Sequence, residues 1–321
     1  MTDNSSVPSR VVVGIDFSPS SYAAASWAAN WVGPDSELVF VHALVIPEIG
    51  GFLADRFPLP QSLLRTARAG AESRLKDLRA SFPDTRIRVE VREGRPADAV
   101  AETARDLGAE LIVVGKHGEN GHVRGYTGRT ADRLVRSSHV PVLLANPAPT
   151  PDPVRILVPL TYSSVVPFIV GWAARIARRF DAEVIALHVI GSAVLSHVLS
   201  MSSVTQGKSD LTQAEIDSVF SEETSEWKKK LVDAGVPAER VKSQVVFGEV
   251  SQEVLAAADM YGASMIVMGS HAGPVRRALL GSAAGAVLRK AEIPVLVVVE
   301  PVPAITWPKT TNRETVNAGI T

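Results

Sequence analysis

The sequence predicts an α/β fold in which two doubly wound, mostly parallel five-stranded sheets follow each other in tandem. Short runs of β-branched and other apolar residues alternate with helix-like segments, the pattern of a parallel sheet with helices on both faces. This pattern restarts near the middle of a chain of 321 residues, a length that suggests about two domains. A glycine-rich signature follows the fourth predicted strand of each half.

The composition is that of a globular protein without a strong bias towards charged partners. Hydrophobic residues make up 46% of the chain and charged residues 21%, and the formal net charge is −1. This balance gives no argument for binding nucleic acid or an anionic membrane. The lack of cysteine excludes disulfides and thiol chemistry. Neither an apolar run of membrane length nor a signal-peptide core is found, so we expect a soluble, cytoplasmic protein.

Five strands separated by helices are predicted in the first half. The first helix has Ser18 as its N-cap and proline at its first position, and it carries Trp27 and Trp31 on one face. The strands are predicted at residues 10–16, 37–43, 87–91, 111–114 and 140–144. The helices are predicted at residues 20–32, 61–80, 96–108 and 130–138.

The second half repeats the first, with small shifts in spacing. Trp172 lies 145 residues after Trp27, whereas residues 265–271 match residues 111–117 at a spacing of 154. The chain is therefore a tandem duplication, with an insertion between Val189 and Gly248. A one-residue deletion falls in the second glycine loop. The predicted organisation is a first domain at 1–147, a linker at 148–153, a second domain at 154–300 and a flexible tail at 301–321.

The loop after the fourth strand is a candidate anion site. Gly115, Gly118 and Gly128 allow a close approach of the backbone, and the first N–H groups of the following helix have no intrahelical partner. The loop is also basic, with Lys116, His117, His122, Arg124 and Arg129.

An acidic residue is expected opposite this loop. Two βαβ units with right-handed crossovers give the strand order 3-2-1-4-5. This order places Asp16 and the loop in one crevice beyond the carboxyl ends of strands one and four. Asp16 could accept hydrogen bonds from ribose hydroxyls there. The alternative is that it only caps the next helix, which Ser18 could do equally well.

These features together resemble the universal stress protein family. The matching segments are Gly14-Ile15-Asp16, Val41-His42-Ala43, the spacing Gly115-x2-Gly118-x9-Gly128, and in the second half Gly269-Ser270-His271, Gly281-Ser282 and Ile293-Pro294-Val295. The resemblance covers almost the whole chain. It implies a nucleotide-binding α-hydrolase-like fold in each half and a regulatory or sensor role in stress response.

Family members with the full motif bind ATP, usually with Mg²⁺, which here would be held through the phosphates. The resemblance implies that Asp16 holds the ribose and that the backbone of Ala43 hydrogen-bonds the adenine edge. Ile15 and Val114 would wall the base, beside Gly14. The backbone N–H groups implied to hold ribose and phosphates are those of Gly115, Gly118, Gly128, Arg129 and Thr130.

The chain departs from the family pattern at several positions. The family has Ser or Thr after the third glycine, where this chain has Arg129. Its guanidinium could pair with phosphate oxygens or crowd the γ-phosphate. In the second half Thr161 replaces the acid and Ala272 the middle glycine, so a site there is expected to be weak or empty. That weaker site would comprise Val189, Gly269, Gly281 and Ser282.

No catalytic or metal-binding set can be named from the sequence. His42 and His188 occupy equivalent strand positions and are expected to be structural. His117 and His271 could approach phosphate or be solvated loop residues. The alternatives to an ATP-binding regulator are an interaction module whose site Arg129 blocks and a slow ATPase.

The duplication also predicts how the halves associate. Domains of the family commonly dimerise through their fifth strands, so residues 140–144 and 293–298 are expected to pair within one chain. Such an intrachain pseudo-dimer would cover two exposed sheet edges. A higher homo-oligomer and a protein partner of unknown identity remain compatible with it.

Overall fold

The computed structural model describes residues 7–46, 61–118, 126–146, 152–191, 213–270 and 280–300. Several sequence predictions lie outside these ranges. They concern the loop at 47–60, His122, Arg124, most of the linker, the insertion around 192–210, His271, Ala272 and the tail at 301–321.

The first half consists of alternating strands and helices. The strands are β1 (Arg10–Gly14), β2 (Glu37–Leu44), β3 (Ile87–Glu93), β4 (Leu111–Gly115) and β5 (Val142–Ala145). The helices are α1 (Pro19–Trp31), α2 (Gln61–Ala80), α3 (Pro96–Asp106) and α4 (Arg129–Ser137). These bounds agree with the predicted elements to within about two residues at most ends, the usual uncertainty of an element boundary.

The second half repeats this order. Its strands are β6 (Arg155–Leu160), β7 (Glu183–Gly191), β8 (Val241–Gly248), β9 (Met265–Gly269) and β10 (Val295–Val298). Its α-helices are α5 (Val166–Phe180), α6 (Gln213–Asp233), α7 (Val250–Tyr261) and α8 (Ser282–Lys290), with a 3₁₀ turn at Ala238–Arg240.

The ten strands of the described ranges form one sheet in the order β3-β2-β1-β4-β5-β10-β9-β6-β7-β8. This order confirms the predicted order 3-2-1-4-5 in each half, and the neighbouring strands within each half are parallel. The two predicted sheets are joined because β5 pairs with β10 in antiparallel fashion, with Leu143 opposite Leu296. This pairing confirms the predicted contact between the fifth strands. It satisfies backbone groups that two separate sheets would leave exposed at their edges.

Side chains along the strands alternate between two apolar clusters, one on each face of the sheet. Val11 and Val13 belong to the cluster that contains Trp31 of α1 and Trp172 of α5. Val12 belongs to the opposite cluster. Because each cluster includes residues from both halves, the halves share a continuous core. Trp31 and Trp172 meet edge to face, with ring centroids 5.5 Å apart.

None of the helices in the described ranges has the length and apolar character that crossing a bilayer requires.

Candidate functional site

A cavity of about 530 Å³ opens in the first half, at the carboxyl ends of β1, β2 and β4. This is the position at which an open parallel sheet binds ligands, because the connections that follow the adjacent strands β1 and β4 leave towards opposite faces of the sheet. The structure brings every predicted residue of the first site around this cavity. They are Gly14, Ile15, Asp16, Ala43, Val114, Gly115, Gly118, Gly128, Arg129 and Thr130.

Asp16 is exposed and lies two residues after the end of β1. Its Oδ1 accepts a hydrogen bond from the backbone N–H of Ser18 at 3.0 Å. Its Oδ2 lies 3.0 Å from the position that a Cβ atom on Gly118 would occupy. Ser18 itself caps α1, since its Oγ accepts from the N–H of Ser21. One oxygen of Asp16 therefore orders the turn, and the other faces the glycine loop.

At two glycines at the base of the cavity, neighbouring atoms leave no room for a side chain. A Cβ on Gly115 would lie 2.6 Å from Cβ of Ser20, so the end of β4 can pass the first turn of α1 only without a side chain. A Cβ on Gly14 would lie 2.9 Å from a methyl carbon of Val114. At Gly115 a side chain would collide with the backbone of α1, and at Gly14 it would require Val114 to move.

The start of α4 presents backbone donors to the cavity. Gly128 is the N-cap and has no side chain to bond the first turn. Its own N–H donates to the carbonyl of Lys116 at 2.9 Å. The next residues, Arg129 and Thr130, also line the cavity. Since the first N–H groups of a helix lack intrahelical partners, this end of α4 suits an anion.

The carboxyl end of β2 contributes further backbone groups. The pairing of β1 with β2 ends at Gly14 and Val41, and the N–H of Ile15 donates to the carbonyl of Val41. Backbone groups alternate in direction along a strand, so the N–H and carbonyl of Ala43 point the same way as those of Val41. They lie beyond the last paired residue of β1, at the border of the cavity.

The histidines differ in their roles. Nδ1 of His42 hydrogen-bonds the carbonyl of Ile15 at 2.8 Å, and Nδ1 of His188 hydrogen-bonds that of Leu160 at 2.9 Å. These equivalent contacts support the predicted structural role of both. His117 is only 6% exposed and lines the cavity. The prediction that it could be a solvated loop residue is therefore wrong.

Several lining residues were missed by the sequence analysis. Tyr126 and Val45 are exposed at the cavity, and Pro96 begins α3 beside it. Tyr126 could have been found, since it lies in the glycine loop just before Gly128. Pro96 follows a strand-end turn at Gly94, whose φ of +121° favours glycine.

Lys116 also lies in this loop, and its side chain is buried rather than solvated. Its Nζ donates to the carbonyls of Arg289, at 3.2 Å, and of Ala291, both in the second half. Burial lowers the pKa of the Lys116 ammonium to about 8, and the negative charge of Glu292 acts in the opposite direction. Within the described ranges no group of three or more His, Cys, Asp or Glu side chains could hold a metal ion.

The second half repeats the backbone arrangement of the site but has different residues at several of its positions. Gly281 caps α8 without a side chain, and its N–H donates to the carbonyl of Ser270 at 3.0 Å. Gly269 ends β9, Ser282 begins α8, and Val189 lies in β7. Pro159 stands where the first half has Gly14, a change that the sequence analysis missed. Residues 271–279 of the second glycine loop lie outside the described residues.

Comparison with known proteins identifies the family. A sequence model of the universal stress protein family matches residues 8–146 and again 154–299. Universal stress protein Rv2005c of Mycobacterium tuberculosis is 28% identical over 303 residues, covering 89% of this chain and 96% of that protein. Universal stress protein Rv2623 of the same organism is 26% identical over 306 residues, with coverage of 89% and 95%.

A solved structure supports the fold over the same length. The universal stress protein from Archaeoglobus fulgidus superposes with a TM-score of 0.65 at 16% identity, covering 92% of this chain and 98% of that one. At this identity the likeness shows the fold alone. The two matches of the family model show that the chain belongs to the universal stress protein family, as a tandem member with two family domains in one polypeptide.

Proposed function

We propose that the first half binds ATP, with Mg²⁺ held through the phosphates, and that the protein acts as a nucleotide-dependent regulator or sensor in stress response. One arrangement carries this proposal: Asp16, Gly118 and the start of α4, which has no side-chain cap, surround one cavity at the carboxyl ends of β1 and β4. A volume of about 530 Å³ lies within the usual range of small-ligand pockets.

The inner part of the cavity suits a purine base. Ile15 and Val114 are buried apolar residues that line it from the ends of adjacent strands. The backbone N–H and carbonyl of Ala43 border the same space. A donor and an acceptor on one strand edge match the hydrogen-bonding edge of adenine, and the apolar walls favour the faces of its ring.

The carboxylate of Asp16 suits the ribose. Its Oδ1 is already held by the N–H of Ser18, which fixes the orientation of the group. Its Oδ2 faces the loop and can accept a hydrogen bond from a hydroxyl. An ionised carboxylate forms stronger hydrogen bonds than a neutral acceptor, so this contact should contribute measurably to affinity.

The outer part of the cavity suits the phosphates. The N–H groups at the start of α4 and the glycine loop supply donors, and Arg129 adds an exposed positive charge at the helix start. Among the described lining residues Asp16 is the one carboxylate. Mg²⁺ would therefore take its ligands mainly from phosphate oxygens and water, as this ion commonly does.

Calorimetric titration of the full chain with Mg²⁺ and ATP tests the proposal, with Asp16→Ala as the site variant. Thr161→Ala is the matched control, because Thr161 occupies the equivalent position in the second half. We expect Asp16→Ala to weaken binding by about 10- to 100-fold, the range for losing a hydrogen bond to a charged group. The control should stay within about twofold. No binding by the wild type, or equal binding by Asp16→Ala, would contradict the proposal.

A further inference from the structure

We propose that the second half holds the ATP-binding loop of the first half in place, and that Lys116 is the positioning residue that transmits this contact. The inference rests on the proposed function and extends it. It makes the affinity of the first site depend on the docking of the second half, although no residue of the second half lines the described cavity.

The side chain of Lys116 crosses from one half to the other. Lys116 is 5% exposed, and its Nζ donates to the carbonyls of Arg289 and Ala291. Arg289 lies in the last turn of α8, and Ala291 is the residue that caps the helix. The last carbonyls of a helix have no intrahelical partners and carry the negative end of its dipole. An ammonium group can donate hydrogen bonds to these carbonyls, and its positive charge is favourable at the negative end of the dipole.

The backbone of Lys116 belongs to the frame of the cavity. Its N–H donates to the carbonyl of Ala145 at 2.8 Å, and its carbonyl accepts from the N–H of Gly128, the N-cap of α4. Its neighbours Gly115 and His117 both line the cavity. Lys116 therefore connects β5, the start of α4 and the end of α8, so a shift of its side chain moves the backbone donors proposed to hold phosphate.

In the part of the second glycine loop that the structure describes, the contact of Lys116 has no counterpart. Ser270 is the counterpart of Lys116 in the second half, and it repeats both backbone hydrogen bonds, with the carbonyl of Val298 and the N–H of Gly281. Ser270 is equally buried, but its hydroxyl ends several bonds short of where a lysine ammonium would lie. The first half, which contains the acid Asp16, is thus also the half whose glycine loop is anchored to the other half.

A matched set of variants isolates this role. Lys116→Met keeps most of the length of the side chain and removes the ammonium, and Lys116→Ser introduces the residue of the second half. Arg179→Met is the control. Arg179 also bridges the two halves, donating to the carbonyls of Asn30 at 2.9 Å and Trp31 at 3.3 Å. These carbonyls lie at the far end of α1 from Asp16.

Two measurements on the full-length protein decide the inference. Hydrogen–deuterium exchange of the nucleotide-free protein follows the amides of residues 115–118, and calorimetry gives the affinity for ATP. We expect both Lys116 variants to exchange faster in this segment and to bind ATP about tenfold more weakly, a usual size for coupling between sites. Arg179→Met should leave the exchange unchanged and the affinity within about twofold of the wild type.

The outcomes separate this inference from the proposed function. Unchanged exchange and affinity in the Lys116 variants would overturn the positioning role while leaving ATP binding intact. Equal effects of Arg179→Met would also overturn it, because the contact would then act through general docking of the halves. If the wild type itself fails to bind ATP, the proposed function is wrong, and the exchange of residues 115–118 alone decides whether Lys116 positions the loop.

Discussion

Asp16 and Gly118 face each other so closely that a Cβ atom on Gly118 would lie 3.0 Å from Oδ2 of Asp16. The other oxygen, Oδ1, is held by the N–H of Ser18, so the carboxylate has little freedom to turn away. The orientation of the proposed ribose acceptor therefore depends on the absence of a side chain at position 118. This dependence makes the site sensitive to a single methyl group.

Gly118→Ala should weaken ATP binding by about tenfold, because the added methyl group displaces the Asp16 carboxylate. The free energy of unfolding should change by less than about 0.5 kcal/mol, since both residues are exposed. Calorimetry and chemical denaturation measure the two quantities. Gly171→Ala on α5 is the control: its Cβ would meet nothing within 4 Å, so it should leave binding unchanged. An unaltered affinity in Gly118→Ala would contradict the assigned role of Asp16.

Arg129→Ser separates two opposite expectations for the residue that departs from the family pattern. Arg129 is exposed and lines the cavity at the first position of α4. If the guanidinium pairs with phosphates, the variant loses this contact. Affinity for ATP should then fall about tenfold, while affinity for adenosine changes less than about twofold. A guanidinium that blocks the γ-phosphate would give the reverse, tighter binding of ATP. Titrations at low ionic strength limit the screening of this contact.

Trp31→Ala should destabilise the two halves together. Trp31 is fully buried and packs edge to face against Trp27 at 4.7 Å and Trp172 at 5.5 Å. Removing a buried aromatic side chain from a core costs about 3–5 kcal/mol. Urea denaturation followed by far-UV circular dichroism should show one transition at lower urea. Tyr22→Ala, at an exposed position of the same helix, should cost less than about 1 kcal/mol. Two separate transitions would show that the halves do not share a core.

Most of the fold could be predicted because its determinants are local or repeated. Ser18 and Pro19 mark the start of α1, and the structure shows the Ser18 cap and proline at the first position. The repeat spacing and the handedness of the crossovers predicted the strand order, and the duplication predicted the pairing of β5 with β10. Asp16 and the glycine loop could be placed in one crevice for the same reason, since topology alone brings the ends of β1 and β4 together.

The environment of the loop side chains could not be predicted in the same way. The sequence identifies Lys116 and His117 as basic residues of the loop, but it does not show that both are buried. The surroundings of Lys116 depend on the position of α8, which local sequence patterns do not contain. Pro159 was missed for a different reason, since a proline at a strand end is not unusual. The difference matters only because its counterpart in the first half, Gly14, leaves room for the side chain of Val114.

The pH dependence of stability tests the buried charge of Lys116. Burial lowers the pKa of this ammonium to about 8 in the folded protein, from an ordinary value of 10.5. Below pH 8 both folded and unfolded states are protonated, and the cost of burying the charge is fully present. Between about pH 8 and 10.5 the unfolded state binds more protons than the folded state, so stability should rise with pH.

Comparison with Lys116→Met isolates this effect, because the other titratable groups are common to both proteins. Between pH 7.5 and 9.5 the free energy of unfolding of the wild type should rise by about 2 kcal/mol relative to the variant. Urea denaturation at several pH values measures the difference. A difference that stays constant would mean that the carbonyls of Arg289 and Ala291 keep the ammonium protonated throughout this range. In that case the charge that we propose to hold the loop would persist to higher pH, and ATP affinity should not weaken as the pH passes 8.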